Sequence, residues 1–308
     1  MLLRLLLSGL MMAVDGYQGI WYSNEPSGDA YGYKYSGGFA TYPQQQSPIA
    51  IHVAKVGKTF FCYGGVAEAG GQELLVMVSY YDHRTGRVPR PTVLLNKKTD
   101  DAHDNPVMAI DDAGHIWIFS NAHGTAREAY IHRSKEPYEV KEFELVKRLN
   151  FSYGHPWYHA GQGFLFLHTR YEERGRSLYW MTSRDGWEWS EGQRLARMEL
   201  GHYQVTAHEG DRTATAFNVH PEPVGLNART DLYYLETRDL GRTWRTVEGR
   251  EVAVPLREKG SRVGLVKDYR GDGRLVYLKE VAFVLDGYAV ILYLPRKCHR
   301  RGGAGDPR

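Results

Sequence analysis

Imidazole, phenol and guanidinium side chains recur at matching offsets from a series of glycines. His103 lies eleven residues before Gly114 and His123 nine after it. Around Gly161 the corresponding places hold Tyr153, eight before, and Arg170, nine after. Around Gly210 they hold His202 and Tyr203 on one side and Asn218 and His220 on the other. Such a set suits elimination from a uronic acid. A cation must neutralise the carboxylate so that the neighbouring C5 proton becomes acidic, which guanidinium or imidazolium does through charge-assisted bonds. A base must take that proton and an acid must protonate the leaving glycosidic oxygen, tasks for phenol and imidazole. Each well-aimed donor to the developing charge contributes about 3–4 kcal/mol. Glycoside hydrolysis needs two carboxyl groups about 5–10 Å apart. At this phase only Asp101 and Asp104 occur, with no acidic partner from another copy.

Matching offsets imply a repeated element that carries them. The pattern is a short apolar strand, a glycine turn, a second strand, a loop and a third strand. It runs SPIAIHVAKVGKTFFCYGG from Ser47, NPVMAIDDAGHIWIFSNAHG from Asn105, HPWYHAGQGFLFLHTRY from His155 and QVTAHEGDRTATAFNVH from Gln204. A fifth copy, EVAFVLDGYAVILYL, begins at Glu280. The turn glycines Gly57, Gly114, Gly161, Gly210 and Gly287 are spaced by 57, 47, 49 and 77 residues. Glycine supplies the positive φ of tight hairpin turns, so each copy reads as antiparallel strands. The first three spacings fit one four-stranded propeller blade each. The fold class expected is all-β, a propeller with five recognisable blades of which the last is incomplete. The longer final step contains RVGLVKDY and RLVYLK, either an insertion or a degenerate blade.

Thr237-Arg-Asp239-Leu-Gly241-Arg-Thr243-Trp244 follows the third strand of the fourth copy, and Ser183-Arg-Asp185-Gly186-Trp187-Glu-Trp189 is a shortened version in the third. In this Asp-box pattern the carboxylate caps a tight turn, glycine takes the unusual φ, and tryptophan packs between blades. The boxes belong at the opposite end of each blade from the His, Tyr and Arg positions. Those residues are therefore expected to ring the mouth of a central funnel. His132, His159 and His208 fall outside this phase and are read as surface or turn residues.

The charge balance, 39 basic against 36 acidic residues, is too even for a phosphate-tracking surface, so nucleic acid is excluded as a partner. Cys62 and Cys298 form no metal motif and are read as free thiols. Residues 1–14 combine one arginine with a short apolar run. They read as a secretory signal or its remnant, too short to span a bilayer, and suggest a secreted or periplasmic protein. The propeller is assigned to 15–295, and 296–308 to a strandless basic tail.

The opening DGYQGIWYSN from Asp15, Tyr33-Lys34-Tyr35-Ser36-Gly37-Gly38, the DDAHDNP run from Asp100, the His123 motif and the Asp boxes together resemble the BNR-repeat proteins. That family includes the seven-bladed ulvan lyases and related polysaccharide lyases, and the resemblance runs from about Asp15 to Leu294. It implies cleavage of an acidic, ulvan-type polysaccharide by β-elimination, with no required cofactor, no assigned metal and a monomeric enzyme. By motif, His103 and Tyr153 become the acid/base pair, and Arg170 with His123 neutralises the carboxylate. Tyr203 and the Tyr33-Lys34-Tyr35 strip line subsites, with Asn105, Asn218 and His220 beside them. Five recognisable units fall short of the family's seven, and Tyr153 sits in YGHP, where relatives place proline directly after the tyrosine. Two alternatives share the fold: a sialidase-like glycoside hydrolase and a non-catalytic carbohydrate-binding propeller.

Overall fold

The computed structural model describes residues 45–67 and 73–297. Residues 1–44 and 298–308 lie outside it, and with them the 1–14 segment, the Tyr33-Lys34-Tyr35 strip and Cys298. Five antiparallel sheets follow one another along the chain. The first comprises β1 (Ala50–Val53), β2 (Lys58–Gly65), β3 (Leu75–Asp82) and β4 (Thr92–Asn96), in that order. The second holds β5 (Pro106–Ile110), β6 (Ile116–Ser120), β7 (Ala129–Ser134) and β8 (Phe143–Leu149). The third holds β9 (Ser152–His159), β10 (Gly163–Tyr171), β11 (Arg176–Ser183) and β12 (Gln193–Ala196).

The fourth sheet has β13 (Gln204–Glu209), β14 (Arg212–Val219) and β15 (Thr230–Thr237), then the short β16 (Trp244–Arg245) and β17 (Glu251–Val252). Its fourth-strand position is shared: β16 pairs with β15 at Glu236, and β18 (Leu265–Lys267) pairs with it at Leu232 and Tyr233. RVGLVKDY therefore completes the fourth blade. RLVYLK is the start of β19 (Leu275–Phe283), which pairs with β20 (Ala289–Arg296). The fifth unit thus begins at Leu275, five residues before the expected Glu280, because a register shift at Leu278/Glu280 interrupts its apolar alternation.

Strand alternation sends successive side chains to opposite faces, and here each face packs on a different blade. Phe164 and Phe166 of β10 join Trp117 and Phe119 of the second blade. Leu165 and Leu167, their neighbours, join Phe217, Tyr233 and Leu235 of the fourth. Phe60, Cys62 and Val76 meet Met108, Ile116 and Ile118 between the first two blades. Val205, Ala214 and Tyr234 meet Val276, Leu278 and Val281 between the last two. Buried on both faces, these strands read as continuous apolar runs. Cys62 is a free, buried thiol whose burial pushes its pKa up. His132, expected at the surface, is buried and held at about 4, chiefly by desolvation.

The Asp boxes form as the pattern predicts. Asp239 accepts bonds from Thr243 N at 2.9 Å and Thr243 Oγ1 at 2.7 Å, and Thr237 Oγ1 accepts from Gly241 N at 2.9 Å. Gly241 has φ 84°, and a Cβ there would lie 2.4 Å from Trp180 Nε1 of the preceding blade. Gly186, φ 81°, sits in the same way over Trp117, one blade earlier. Each box closes on the tryptophan of the blade before it.

Candidate active site

At the end of the sheets away from the hairpin glycines, the segment entering β5 makes a 3-10 turn over Ala102–Asp104. Asp101 caps it, accepting His103 N at 3.0 Å. The same carboxylate meets two imidazoles: Oδ1 lies 2.6 Å from His103 Nδ1 and Oδ2 2.7 Å from His123 Nδ1. The rings stack at 4.1 Å with 17° between their planes. Burial raises the Asp101 carboxyl, but the two imidazole bonds outweigh it and hold the group well below the carboxylate range. An ionised carboxylate only accepts, so both rings carry hydrogen on Nδ1 and do their proton chemistry at Nε2.

Asp104 is fully buried and differently employed. It accepts Arg127 Nε at 2.9 Å, Arg127 Nη2 at 2.8 Å and His123 N at 2.8 Å, with Lys97 Nζ 3.4 Å away. It thereby ties the loop after β6 to the turn before β5 and fixes the spacing of the two histidines. Asp101, His103 and His123 also come within reach of a single cation. With near-parallel rings the imidazole lone pairs run side by side and do not converge on one point, and both carboxylate oxygens already meet Nδ1 atoms. The arrangement fits an oriented histidine pair, and we assign no metal to it.

The third blade supplies the phenols. Tyr153 has φ 50°, a conformation rare outside glycine, held because Asn121 Oδ1 accepts Gly154 N at 2.8 Å and Ser152 Oγ bonds to Ala122 O. The backbone twist brings the ring edge-on to His103, centroids 5.8 Å apart. The Tyr153 hydroxyl lies 3.4 Å from that of Tyr171, whose ring meets His123 at 5.4 Å. Arg176, across the β10–β11 ladder from Tyr171, donates Nη1 to Tyr153 Oη at 3.4 Å and lies over the rings of Tyr171 and Tyr203 at 5.1 and 4.6 Å. Arg176 is 8% exposed, and no carboxylate pairs with it among the described residues.

Arg170 does not share this mouth. Its Nε donates to His168 Nε2 at 3.1 Å and its guanidinium lies 4.9 Å over Tyr179. Alternation along β10 puts Arg170 on the face of His168 and sends Tyr171 to the site. The turn glycines are not equivalent: Gly161 lies midway between the paired His159 and Gly163, whereas Gly114 lies one residue past the midpoint of the paired Ile110 and Ile116, so the count from Gly161 falls one residue short of Tyr171. Arg176 opens β11, a strand outside the two whose offsets from the glycines were matched, which is how the guanidinium at the site escaped the sequence pattern.

In the fourth blade Tyr203 joins Tyr153 edge-on at 5.4 Å, and His220 joins Tyr203 at 5.0 Å. His220 is buried and pushed well below the imidazole range by desolvation and by Arg176 and Arg229. Asn218 builds structure: its Oδ1 accepts Tyr203 N at 3.0 Å and its Nδ2 donates to Val276 O at 3.1 Å. His202 is fully committed to Asn218 O and Met198 N. Asn105 donates to Ala102 O at 2.7 Å and fills the space beside Gly64. The structure thus brings His103, His123, Tyr153, Tyr203 and His220 together. It adds Asp101, Tyr171, Arg176 and Arg229, and sets Arg170, Asn105 and Asn218 apart.

Successive antiparallel blades, the first three four-stranded, with Asp boxes at one end and a His–Tyr–Arg cluster at the other, define a BNR-type propeller fold. The chain belongs to the BNR repeat-containing family, whose model matches residues 71–298. It is 25% identical over 252 residues to the ulvan lyase of Alteromonas sp. (strain LOR), an alignment covering 68% of this chain. The chain spans about half of that protein's length, 50%. Among solved structures, a PL25 ulvan lyase bound to a GlcA(1-4)Rha3S repeat superposes with a TM-score of 0.71 at 16% identity, covering 91% of this chain and 68% of the other. The polysaccharide lyase Uly1 superposes with a TM-score of 0.61 at 10% identity, covering 92% and 74%. At these identities the superpositions establish the propeller fold.

Proposed function

We propose that this protein is a polysaccharide lyase that cleaves a uronic-acid-containing, ulvan-type polymer by β-elimination. The observation that carries this reading is Arg176: a nearly buried guanidinium with no carboxylate partner among the described residues, set among phenols beside two oriented imidazoles. A buried, uncompensated cation is costly unless a ligand anion completes it. The uronate carboxylate takes that place and Arg176 the role expected of Arg170. Tyr153 Oη, as a phenolate facing the Arg176 guanidinium, takes the C5 proton and becomes the neutral phenol. The C–H electron pair becomes the C4–C5 double bond, the bond from C4 to the glycosidic oxygen breaks, and that oxygen takes the Nε2 proton of a His103 imidazolium, which is left as the neutral Nδ1–H ring. Asp101 holds both rings by Nδ1 and its negative charge stabilises that imidazolium.

The carboxylates here do not favour hydrolysis. Asp101 is engaged by both histidines and Asp104 by Arg127, which leaves no free carboxyl pair in this cluster among the described residues. The test is incubation with ulvan and other uronate polymers. Ultraviolet absorbance of the unsaturated product supports the lyase; new reducing ends without it point to a hydrolase, and binding alone to a lectin-like propeller.

A further inference from the structure

The far end of β11 carries a feature that the elimination does not use. Arg176 opens that strand at the mouth, and Thr182 lies six residues on, about 20 Å away along the strand. There a groove of about 500 Å³ lies at the outer edge of the third blade, between β12 and the Asp box of the fourth.

Three segments build it. Gln193 of β12 is paired with Trp180 and shares its face, so its exposed amide stands on the groove side of the sheet. Arg194, the next residue, alternates away and gives its guanidinium to Glu172 at 2.8 Å and Tyr179 at 3.2 Å. The Asp box contributes Leu240 and Arg242. Its carboxylate, Asp239, is bonded to Thr237 and Thr243, which fixes the loop that carries this arginine. Val254, Pro255 and Arg257 come from the segment after β17, which crosses back to the third blade. Leu256 N donates to Leu195 O at 2.9 Å, and Arg197 N donates to Leu256 O at 2.8 Å. Two anchored segments thus each bring an exposed arginine to one groove.

The lining divides by chemistry. Leu240 and Val254 pack against the core that holds Trp180 and Trp244 and, with Pro255, also wall the groove. Apolar side chains beside an amide suit a pyranose ring, which has a C–H face and hydroxyls at its rim. Guanidinium groups suit the carboxylate or sulfate ester that such rings carry in an acidic polymer, through charge-assisted bonds. We propose that this groove is a second binding site for acidic polysaccharide, separate from the mouth. Arg242 and Arg257 take the anionic substituent, Gln193 takes a hydroxyl, and the apolar wall takes the face of a sugar ring. No bond is made or broken there. The groove tethers a long chain and raises its concentration near the mouth. It goes beyond the lyase reading, because binding here does not depend on cleavage.

The experiment measures binding of intact ulvan by affinity electrophoresis at several salt concentrations. All the proteins compared carry Arg176→Ala, which suppresses cleavage and weakens the hold of the mouth. To this are added Arg242→Gln/Arg257→Gln or, as a control, Arg84→Gln/Arg148→Gln, which removes the same charge from exposed positions on the first two blades. Circular dichroism confirms folding. The groove variant should bind about tenfold more weakly and with less salt dependence, the scale of two exposed charge contacts, and the control should stay within about twofold of its parent. With Arg176 intact, the groove variant should raise KM for the polymer and leave kcat unchanged. Desulfated ulvan assigns the anion within the site: a surviving difference between the variants gives the arginines the carboxylate, a lost one the sulfate ester. Equal binding by the groove and control variants overturns the site. Polyglutamate retarding the protein as strongly as ulvan also overturns it, since charge alone would then account for the binding. If no uronate polymer is cleaved, the lyase reading falls while the binding comparison still decides the groove.

Discussion

Tyr171 and Arg176 face each other across the β10–β11 ladder, and the guanidinium of Arg176 lies 5.1 Å over the Tyr171 ring. The loop between them turns at Gly175, φ 86°, so one hairpin sets both the phenol at the mouth and the cation behind it.

On the lyase reading proposed above, the cation that meets the uronate is Arg176. Arg176→Ala should reduce turnover on a uronate polymer by about 10²-fold or more, the scale of losing a principal charge-stabilising donor. Arg170→Ala, whose guanidinium rests on His168 and Tyr179, should leave the rate within a few-fold of the wild type. Steady-state rates of the two variants side by side check this. Equal losses would return the carboxylate to Arg170.

Asp101 orients two imidazoles with one side chain. Asp101→Asn presents an amide nitrogen to one Nδ1 and forces that ring into the other tautomer. Activity should fall about 10²- to 10⁴-fold, the span of general acid–base contributions, with the fold retained. Rates and circular dichroism on the variant measure it.

Acid should destabilise the fold before it touches the carboxylates. His155 and His168 are held at about 3 and His202 at about 4, desolvation being the main cause in each. These folded values lie below the ordinary imidazole value, so the unfolded chain binds protons that the native state refuses. Stability then falls as pH drops from about 6.5 toward 4, by about 1.4 kcal/mol per pH unit for each such group. Urea midpoints between pH 7.5 and 5 should show the loss, and His168→Gln should make the slope shallower.

Gly241→Ala joins a Cβ 2.4 Å from Trp180 Nε1 to an unfavourable positive φ. A loss of about 2–3 kcal/mol is expected in a denaturant titration. Asp239→Ala should also destabilise, through Thr243, while leaving the His–Tyr–Arg cluster in place.

The blade order was legible because the hairpin glycines and Asp boxes are local features whose spacing survives in one dimension. The same spacing located His103, His123, Tyr153 and Tyr203. It ran one residue short at Arg170, because Gly161 and Gly114 sit at different points of their turns, and it passed over Arg176, which opens β11 outside the matched strands. Asp101 was visible as an acid, but its role depends on two rings meeting in space from segments on either side of a hairpin. Arg229 follows a loop of no regular pattern, Pro221–Ala228, and nothing in its neighbours signals a position over Tyr203. His132 was misjudged because alternation gives the face of a strand but not which face a neighbouring blade covers.

The Asp boxes give the ring a direction. Gly186 roofs Trp117 and Gly241 roofs Trp180, always reaching back toward the earlier blade. The modules overlap like shingles, each protected by its successor. Lifting one away would bare an indole upstream and leave the downstream neighbour's own indole covered, so damage to such a wheel spreads more readily one way round than the other.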